Sequence, residues 1–554
     1  MGRPLRIVPL GGLGEIGMNC MALEEGGRIV VVDCGVLFDN RGLGVDVITP
    51  DWEWLIDREE DVEALVLTHG HEDHLGAVSW FLRDFDVPVY GPPYALALVR
   101  ERMAQHPWHA GRKADLRPLL RGDVLPLGPF TFEPFQVTHS MPECMGLAIR
   151  TGQGLVVHSG DFKIDANPPP GDRFDFDRLR QLGDEGVRLL LSDSTNAMSP
   201  GHAIGEREVK DTLAETIAPL TGRVVVGLFA SNVHRMRSLI EVARQVGRKV
   251  VPLGRSVDTH LRIATELRLL PDPSDVIVPR QQARTLPREQ VLVLATGSQG
   301  EPRAALPRLA NGSHPDLDLA EGDTVVLSSR VIPGNERPIL DLVETLERRG
   351  IRVLSRRDES GLHASGHAHQ GELQDLMEML RPRAFVPIHG TFVHLRAHAQ
   401  LAAERGVPQI LRVLNGDAIE IDADALRIAE RVWSGRVHID QGGEPVDGRV
   451  LAERRSLAEL GIVVVSVSID GKGRAVSPPK VTGSGVFHPD EDQDLVQLCE
   501  RSAHREMADL VSPRLAGDPE QIAEALKRGV RKVCQRELGK KPIVLAQVHV
   551  VGAA

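Results

Sequence analysis

Short runs of aliphatic and β-branched residues, each closing in a polar, glycine-rich stretch, repeat along the N-terminal third of the chain: Arg28 to Asp33, Ala64 to Thr68, Phe132 to Thr138, Leu155 to His158 and Leu189 to Asp193. Runs of this length bounded by turn residues predict strands. Residues with acid–base or metal chemistry crowd just past their ends. From about Gly205 to Gly361 the pattern becomes apolar run, loop, helix. Val224 to Phe229 leads into Ala230-Ser231-Asn232-Val233-His234, Val291 to Ala295 into Thr296-Gly297-Ser298-Gln299-Gly300, and Thr324 to Leu327 into Ser328-Ser329-Arg330. That alternation predicts a separate parallel α/β unit. A further α/β stretch follows, a helix over Glu372 to Leu380 and a strand over Ala384 to Ile388 that ends on His389. After about Gly435 the chemistry thins. Asp440 to Pro445 reads as a linker turn, Ile462 to Ile469 and Pro542 to Val550 as strands, and Asp492 to Met507 and Pro519 to Leu538 as helices. Together they predict a small α/β domain of about a hundred residues.

Composition narrows this picture without changing it. At 554 residues the chain exceeds what one core supports, so two to four domains are expected. With 42% hydrophobic and 26% charged residues, disorder of the whole chain is excluded. No stretch approaches the roughly 20 apolar residues that span a bilayer, and Met1 to Pro4 runs directly into the strand-like Ile7 to Leu10. A cytoplasmic protein with no membrane partner is expected. The five cysteines (Cys20, Cys34, Cys144, Cys499, Cys534) show no C-x-x-C spacing, which argues against a disulfide framework or a thiolate zinc site. Any metal is therefore held by histidine and carboxylate. The net charge of −12 has the wrong sign for binding nucleic acid through a global field, so such binding has to rest on a local site.

The strongest chemical signal is Thr68-His69-Gly70-His71-Glu72-Asp73-His74, directly after an apolar run. In a loop at a strand end, His69 and His71 point the same way toward one metal, while Asp73 and His74 at the start of the next helix face a second. Neutral imidazole and carboxylate oxygen are zinc or manganese ligands. Burying so many ionisable groups without a cation is costly. Further ligand types follow strand-like runs at Thr138-His139-Ser140, Ser159-Gly160-Asp161-Phe162 and Pro387-Ile388-His389-Gly390.

H-x-H-x-D-H, then a lone histidine, a Gly-Asp and a late histidine resemble the metallo-β-lactamase fold. The resemblance implies an αββα sandwich with two zinc ions at one edge of its sheets, manganese or magnesium being alternative activating ions. Carried over position by position, His69, His71 and His139 hold one ion, Asp73, His74 and His389 the other, and Asp161 bridges them. Asp33 matches the strand-end aspartate that supports the site from behind.

That fold serves many substrates, and the inserted unit selects among them. Ser192-Asp193-Ser194-Thr195-Asn196, His363-Ala364-Ser365-Gly366-His367-Ala368 and Pro387 to Gly390 resemble the extra motifs of the β-CASP nucleases, in which an inserted α/β domain closes over the metals. Pro9 to Asn19, Ser192 to Asn196, Ala295 to Pro302 and the small C-terminal domain narrow the likeness to the ribonuclease J family, over essentially the whole chain. One stretch departs from it, His202-Ala203-Ile204-Gly205, where relatives tend to carry Thr and Ser.

The implied organisation is a metallo-β-lactamase domain in two parts (1–204 and 362–434), a β-CASP domain (205–361), a linker (435–455) and a C-terminal α/β domain (456–554). The implied activity is hydrolysis of single-stranded RNA, as endonuclease and as 5′-to-3′ exonuclease favouring 5′-monophosphate ends, in RNA maturation and decay. His367 would protonate the leaving 3′-oxygen, and Asp193 would orient the water or a ligand histidine, with Asp73 and Asp161 at the metals. Ser231, Asn232, His363, Ala364, Ser365, Gly366 and His367 would form the phosphate-binding pocket. Arg235, Arg237, Arg255 and Arg330 are candidate backbone-binding cations by position. A homodimer or homotetramer, partners in an RNA-degradation complex and a structural divalent cation near Asp46 and Asp440 complete the expectations. The rival readings are a hydrolase of small esters or lactams, which has no use for the insertion, and a non-catalytic RNA-binding subunit, which needs no full ligand set.

Overall fold

The computed structural model describes residues 4–39, 41–111, 113–422, 425–488, 491–509 and 518–551. The chain forms two compact units, Met1–Phe38 with Val47–Val437, and Asp39–Asp46 with His438–Ala554.

The larger unit is built on two facing sheets. One has eight strands in the order Leu426–Arg431, Asp417–Ile421, Leu5–Gly11, Cys20–Glu25, Arg28–Val32, Val62–Val66, Val89–Gly91 and Leu116–Pro118. The other has seven, in the order Leu125–Leu127, Phe130–Gln136, Met145–Thr151, Gly154–His158, Val187–Asp193, Ala384–Ile388 and Gln409–Ile410. Ile7, Leu23, Val30, Ala64 and Val66 of the first meet Phe132, Leu147, Val156, Leu191 and Val386 of the second in one buried core. With helices such as Pro93–Ala104, Gln370–Leu380 and Phe392–Glu404 joined to these strands, the domain is the expected metallo-β-lactamase sandwich.

Some strands are apolar end to end because both faces are covered, as in Val291–Ala295, and Val187–Asp193 is buried at every position although it carries Arg188, Ser192 and Asp193. The strands expected to reach Thr68 and Thr138 stop short, at Val66 and Gln136. The reason is local. The backbone N–H of Thr68 donates to Asp33 Oδ1 at 2.8 Å instead of to a neighbouring strand, and the hydroxyl of Thr138 donates to the carbonyl of Lys163 at 2.7 Å.

Between Val187–Asp193 and its parallel neighbour Ala384–Ile388 the chain leaves to form a second core. Its five strands are all parallel, in the order Lys249–Leu253, Val291–Ala295, Val224–Gly227, Thr324–Leu327 and Arg352–Leu354. The first strand in sequence is central, so the strand order reverses beside it, and the loops at Ala230, Thr296 and Ser328 gather at the carboxyl edge where such sheets bind ligands.

A buried charge cluster closes the junction of this insertion with the sandwich. The fully buried Arg235 donates from Nη2 to Glu206 Oε1 at 3.2 Å and from Nη1 to the carbonyl of Leu362 at 3.2 Å. Lys163 lies 3.7 Å from Glu206 and 3.4 Å from Asp165, whose Oδ2 accepts the backbone N–H of Glu206 at 2.9 Å. Arg235 is thus a structural ion-pair partner, and the expectation that it meets an RNA backbone is corrected. Burial pushes the Glu206 carboxyl up, but Arg235 and Lys163 outweigh it and bring it down from 4.5 to about 2. The folded value lies below the unfolded one, so this stabilisation is complete above about pH 4.5 and is lost as pH falls towards 2. Glu206→Gln, which leaves Arg235 without a counter-charge, is expected to cost about 3–5 kcal/mol at neutral pH. Thermal melts across an acid series should also show the variant losing less stability below pH 4.5 than the parent.

The smaller unit has a three-stranded sheet, Lys480–Ser484, Ile462–Ile469 and Ile543–Val550 in that order. Val463, Val465, Val467 and Ile469 alternate inward onto Cys499 of helix Gln493–Ala508 and Leu526, Val530 and Cys534 of helix Pro519–Leu538. A helix over Gly448–Leu460 occupies part of the segment read as a linker. Its start was visible in Asp447, which caps it by accepting the N–H of Arg449 at 2.7 Å. Asp440 spends Oδ1 on the N–H groups of Gly442 and Glu444, and among the described residues no cluster of ligand groups forms around Asp46 and Asp440. No helix of the described residues is long and apolar enough to cross a membrane.

Candidate metal centre

The site lies at one edge of the sandwich, just past the ends of the strands that finish at Val32, Val66, Gln136, His158, Asp193 and Ile388. After Val62–Val66 the chain runs through Thr68 to His71 into the short helix Glu72–Leu75. The carbonyls of this helix are tied down from the opposite loop: Asn19 N donates to Asp73 O at 2.9 Å, Cys34 N to His74 O at 2.7 Å and Val36 N to Glu72 O at 3.0 Å. Gly35 is required there, because a Cβ would stand 1.8 Å from the carbonyl oxygen of Asp73.

Asp33 anchors the cluster from behind, as expected. It holds a left-handed backbone (φ 60°), a conformation costing of order 1–3 kcal/mol. Three bonds offset that cost: Oδ1 accepts from Thr68 N at 2.8 Å, and Oδ2 accepts from Thr68 Oγ1 at 2.9 Å and from His74 Nδ1 at 2.8 Å.

His69, His71, His139 and Asp161 form one group, and Asp73, His74, Asp161 and His389 a second; within each, the ligand atoms lie within 4.8 Å of one another. In the first, His71 Nδ1 is 3.0 Å from His69 Nε2 and 3.1 Å from His139 Nε2. In the second, Asp161 Oδ2 is 3.2 Å from His74 Nε2, and Asp73 Oδ2 is 3.4 Å from His389 Nε2. Four ligands held about 2.0–2.1 Å from a zinc ion stand about 3.3 Å apart, so these spacings suit a cation. The fit is supported by orphans. Among the described residues, Asp161 Oδ2 and His389 Nε2 are buried with no hydrogen-bond partner, a costly condition unless an ion takes their lone pairs. The rings are also oriented for it. His139 donates Nδ1–H to the carbonyl of Gly366 at 2.6 Å, and His74 is held through Nδ1 by Asp33, which turns both Nε2 atoms into the cluster, that of His74 also meeting the Asn19 amide at 3.0 Å.

Burial holds His69 and His139 well below the usual imidazole value and His71 at about 4, so the three imidazoles of the first group are neutral and ready to ligate. In the second group burial also disfavours charge on His389 and His74, but Asp161 beside them wins. It raises His74 well above its ordinary value and His389 to about 10, while the two imidazoles hold Asp161 well below the carboxylate range. A divalent cation supplies the same compensating charge and displaces those protons.

A third group, Asp161, Asp193, His367 and His389, adjoins the second. His367 donates Nδ1–H to Asp193 Oδ2 at 2.8 Å and lies 3.8 Å from Asp161. Burial lowers the His367 imidazole, but Asp193 outweighs it and the net shift is upward. Asp193 accepts in addition from Thr195 N at 2.9 Å and Thr195 Oγ1 at 2.7 Å.

The residues expected to hold phosphate flank this edge. Ser365 Oγ accepts from Asn196 Nδ2 at 2.7 Å and from His367 N at 3.2 Å, while His363 and Ala364 are buried. Asn232 caps helix Val233–Gln245, its Oδ1 accepting Arg235 N–H at 2.9 Å, and Ser231 precedes it half-buried. Arg235 ties the start of that helix to Leu362, so the two loops adjoin. Arg330 reaches across to Asn196 Oδ1, Arg237 pairs with Glu241 at 3.2 Å, and Arg255 is exposed. Residue-level reasoning missed Ser194, His398 and the amide of Asn19, which sits 3.0 Å from His74 Nε2. Only Asn19 and Ser194 stood inside a motif that could have drawn attention to them.

Comparison with known proteins agrees with this geometry. Residues 13–203 match the metallo-beta-lactamase superfamily, 221–346 the beta-CASP domain of ribonuclease J, 337–411 the RNA specificity domain of Zn-dependent metallo-hydrolases, and 449–551 the ribonuclease J C-terminal domain. A crystal structure of a protein of unknown function from Enterococcus faecalis V583 covers 76% of this chain and 100% of its own at 15% identity, with a TM-score of 0.53, a likeness of fold alone. Ribonuclease J of Mycobacterium tuberculosis is 38% identical, covering 98% of this chain and 97% of its own. Ribonuclease J of Synechocystis is 37% identical over 98% of this chain and 86% of its own, and ribonuclease J2 of Bacillus subtilis 35% over 89% of each. With that identity along nearly its whole length, and a divalent-metal site built from both halves of a sandwich split by a β-CASP insertion, the chain belongs to the ribonuclease J family.

Proposed function

We propose that the chain is a two-zinc ribonuclease that hydrolyses single-stranded RNA, from 5′-monophosphate ends in the 5′-to-3′ direction and also internally. The observation that carries this reading is the pair of ligand groups sharing Asp161, with Asp193 and His367 beside them. His69, His71 and His139 would hold one ion, Asp73, His74 and His389 the other, and Asp161 both. Such a pair lowers the pKa of water to make a nucleophile and stabilises the attacking and leaving oxygens of an in-line displacement at phosphorus.

The protein's own groups do the rest. Asp193 fixes the His367 ring through Nδ1 and favours its protonated form, so that Nε2 can give a proton to the leaving 3′-oxygen. Thr195 keeps the Asp193 carboxylate turned to that task. Ser365, held by Asn196, and the loop at Ser231 and Asn232 would receive the terminal phosphate through hydroxyl and backbone N–H groups. Arg330 adds positive charge on the same side, in keeping with a phosphate ligand.

The test is a gel assay on end-labelled single-stranded RNA bearing a 5′-monophosphate or a 5′-triphosphate, with a His71→Ala/Asp73→Ala double variant as control. Processive loss of the monophosphate RNA, absent in the control, is expected. A metal-loaded protein that cleaves neither RNA would end the nuclease reading. In the same assay Ser365→Asp, which places a charge against the terminal phosphate, should lose the preference for monophosphate ends while keeping internal cleavage. Equal loss of both activities would sink the end pocket.

A further inference from the structure

Helix Phe392–Glu404 begins directly after the strand end that carries His389, and its one fully buried polar side chain is His398. The ring packs edge-on against Phe385, with centroids 4.7 Å apart, and its Nδ1 is 3.0 Å from Ser194 Oγ. Burial pushes the imidazole down to about 3, so it is neutral. Ser194 Oγ is also 3.3 Å from the carbonyl oxygen of Ser192. Both contacts are satisfied together in one arrangement: the Ser194 hydroxyl donates to Ser192 O and accepts Nδ1–H of His398, leaving His398 Nε2 as a bare lone pair, which among the described residues has no partner. A residue present only to fill space would not incur the cost of burying that nitrogen.

What His398 grips is a joint. The backbone N–H of Ser194 donates to His389 O at 3.3 Å, and Thr195 Oγ1, whose proton goes to Asp193, lies 3.4 Å from the same oxygen. The Cβ of Ser194 stands 3.4 Å from where a Cβ on Gly390 would be. His389 itself holds a left-handed backbone, φ 51°, which needs such external support. Ser194 therefore links the strand end bearing Asp193 to the one bearing His389.

We propose that His398 is a positioning residue: by fixing Ser194 it sets where His389 and Asp193 stand, and so tunes the second ion's site while leaving the His69–His71–His139 site alone. The inference rests on the two-ion reading above. It is tested by competing both ions against a chromophoric chelator in the full-length zinc-loaded protein, for the parent, His398→Leu, His398→Asn and Ser194→Ala. In His398→Leu one of the two ions should be held about 10–100-fold more weakly, with the other unchanged and kcat falling by a similar factor. His398→Asn, which keeps a donor near Nδ1, should recover most of the loss. Ser194→Ala, a milder change should the leucine variant fail to fold, should reproduce the selective weakening. Equal weakening of both ions with a lowered melting temperature, unrelieved by asparagine, would reduce His398 to packing, and unchanged affinities would remove the role altogether. A parent that binds fewer than two ions would overturn the two-ion reading itself, an outcome distinct from either.

Discussion

Asp161→Asn is expected to abolish cleavage, lowering kcat/KM on 5′-monophosphate RNA by at least about a thousand-fold. The substitution keeps the shape of the side chain and its contact with His389 Nδ1, 2.8 Å away, but removes the negative charge and puts an amide NH2, which cannot ligate, in place of Oδ2. That charge belongs to every ligand group at the site, and its Oδ2 faces imidazoles of the first and second groups, at 3.7 Å from His69 and 3.2 Å from His74. Metal ions supply several kcal/mol of transition-state stabilisation, and each 1.36 kcal/mol is a factor of ten, which sets the scale. Dialysed protein should also carry less metal than the parent, read by elemental analysis. A variant holding two ions and cutting at near the parental rate would refute the shared-carboxylate arrangement.

His367→Gln should lower kcat about 10²–10⁴-fold, the usual worth of a general acid, with metal content unchanged. Asp193 raises the His367 imidazole above its ordinary 6.5, so the proton it donates is present below that raised value and lost above it. The fall of kcat on the alkaline side in the parent should therefore be missing from the variant. The alternative has its own signature. His367 and Asp193 also form a ligand-like group with Asp161 and His389, and loss of one ion in His367→Gln would make His367 a ligand and not an acid.

Much of this was legible in the sequence, for physical reasons that differ from element to element. The H-x-H-x-D-H cluster is local, so its spacing alone announces the chemistry, and Asp161 and His389 stand out because each ends an apolar run. The strands Val291–Ala295, Thr324–Leu327, Ala384–Ile388 and Ile462–Ile469 fall where the hydrophobic runs put them, since both faces of the first three are buried and the fourth alternates. Burial of a charge was not legible. Arg235 reads as a surface cation at a helix start, and only the fold brings Glu206, 29 residues away, to meet it. His398 was invisible for the same reason, its partner Ser194 lying 204 positions back. The helix Gly448–Leu460 was hidden by the glycine and proline just before it, although its aspartate cap was in plain view.

The split of the sandwich by its insertion also sets a clock. Asp161 and His389 are bonded across 228 residues of chain, and strand Ala384–Ile388 must be made before it can lie beside Val187–Asp193. At about 5–20 residues per second, translation takes roughly 10–45 s to cover that distance. Until then the nascent protein has His69, His71, His74, His139 and Asp161 but lacks His389, so the second ligand group is incomplete. The ligand cluster is therefore complete only once residue 389 of 554 has been made, about seven tenths of the way along the chain, and until then the emerging protein carries it half-built.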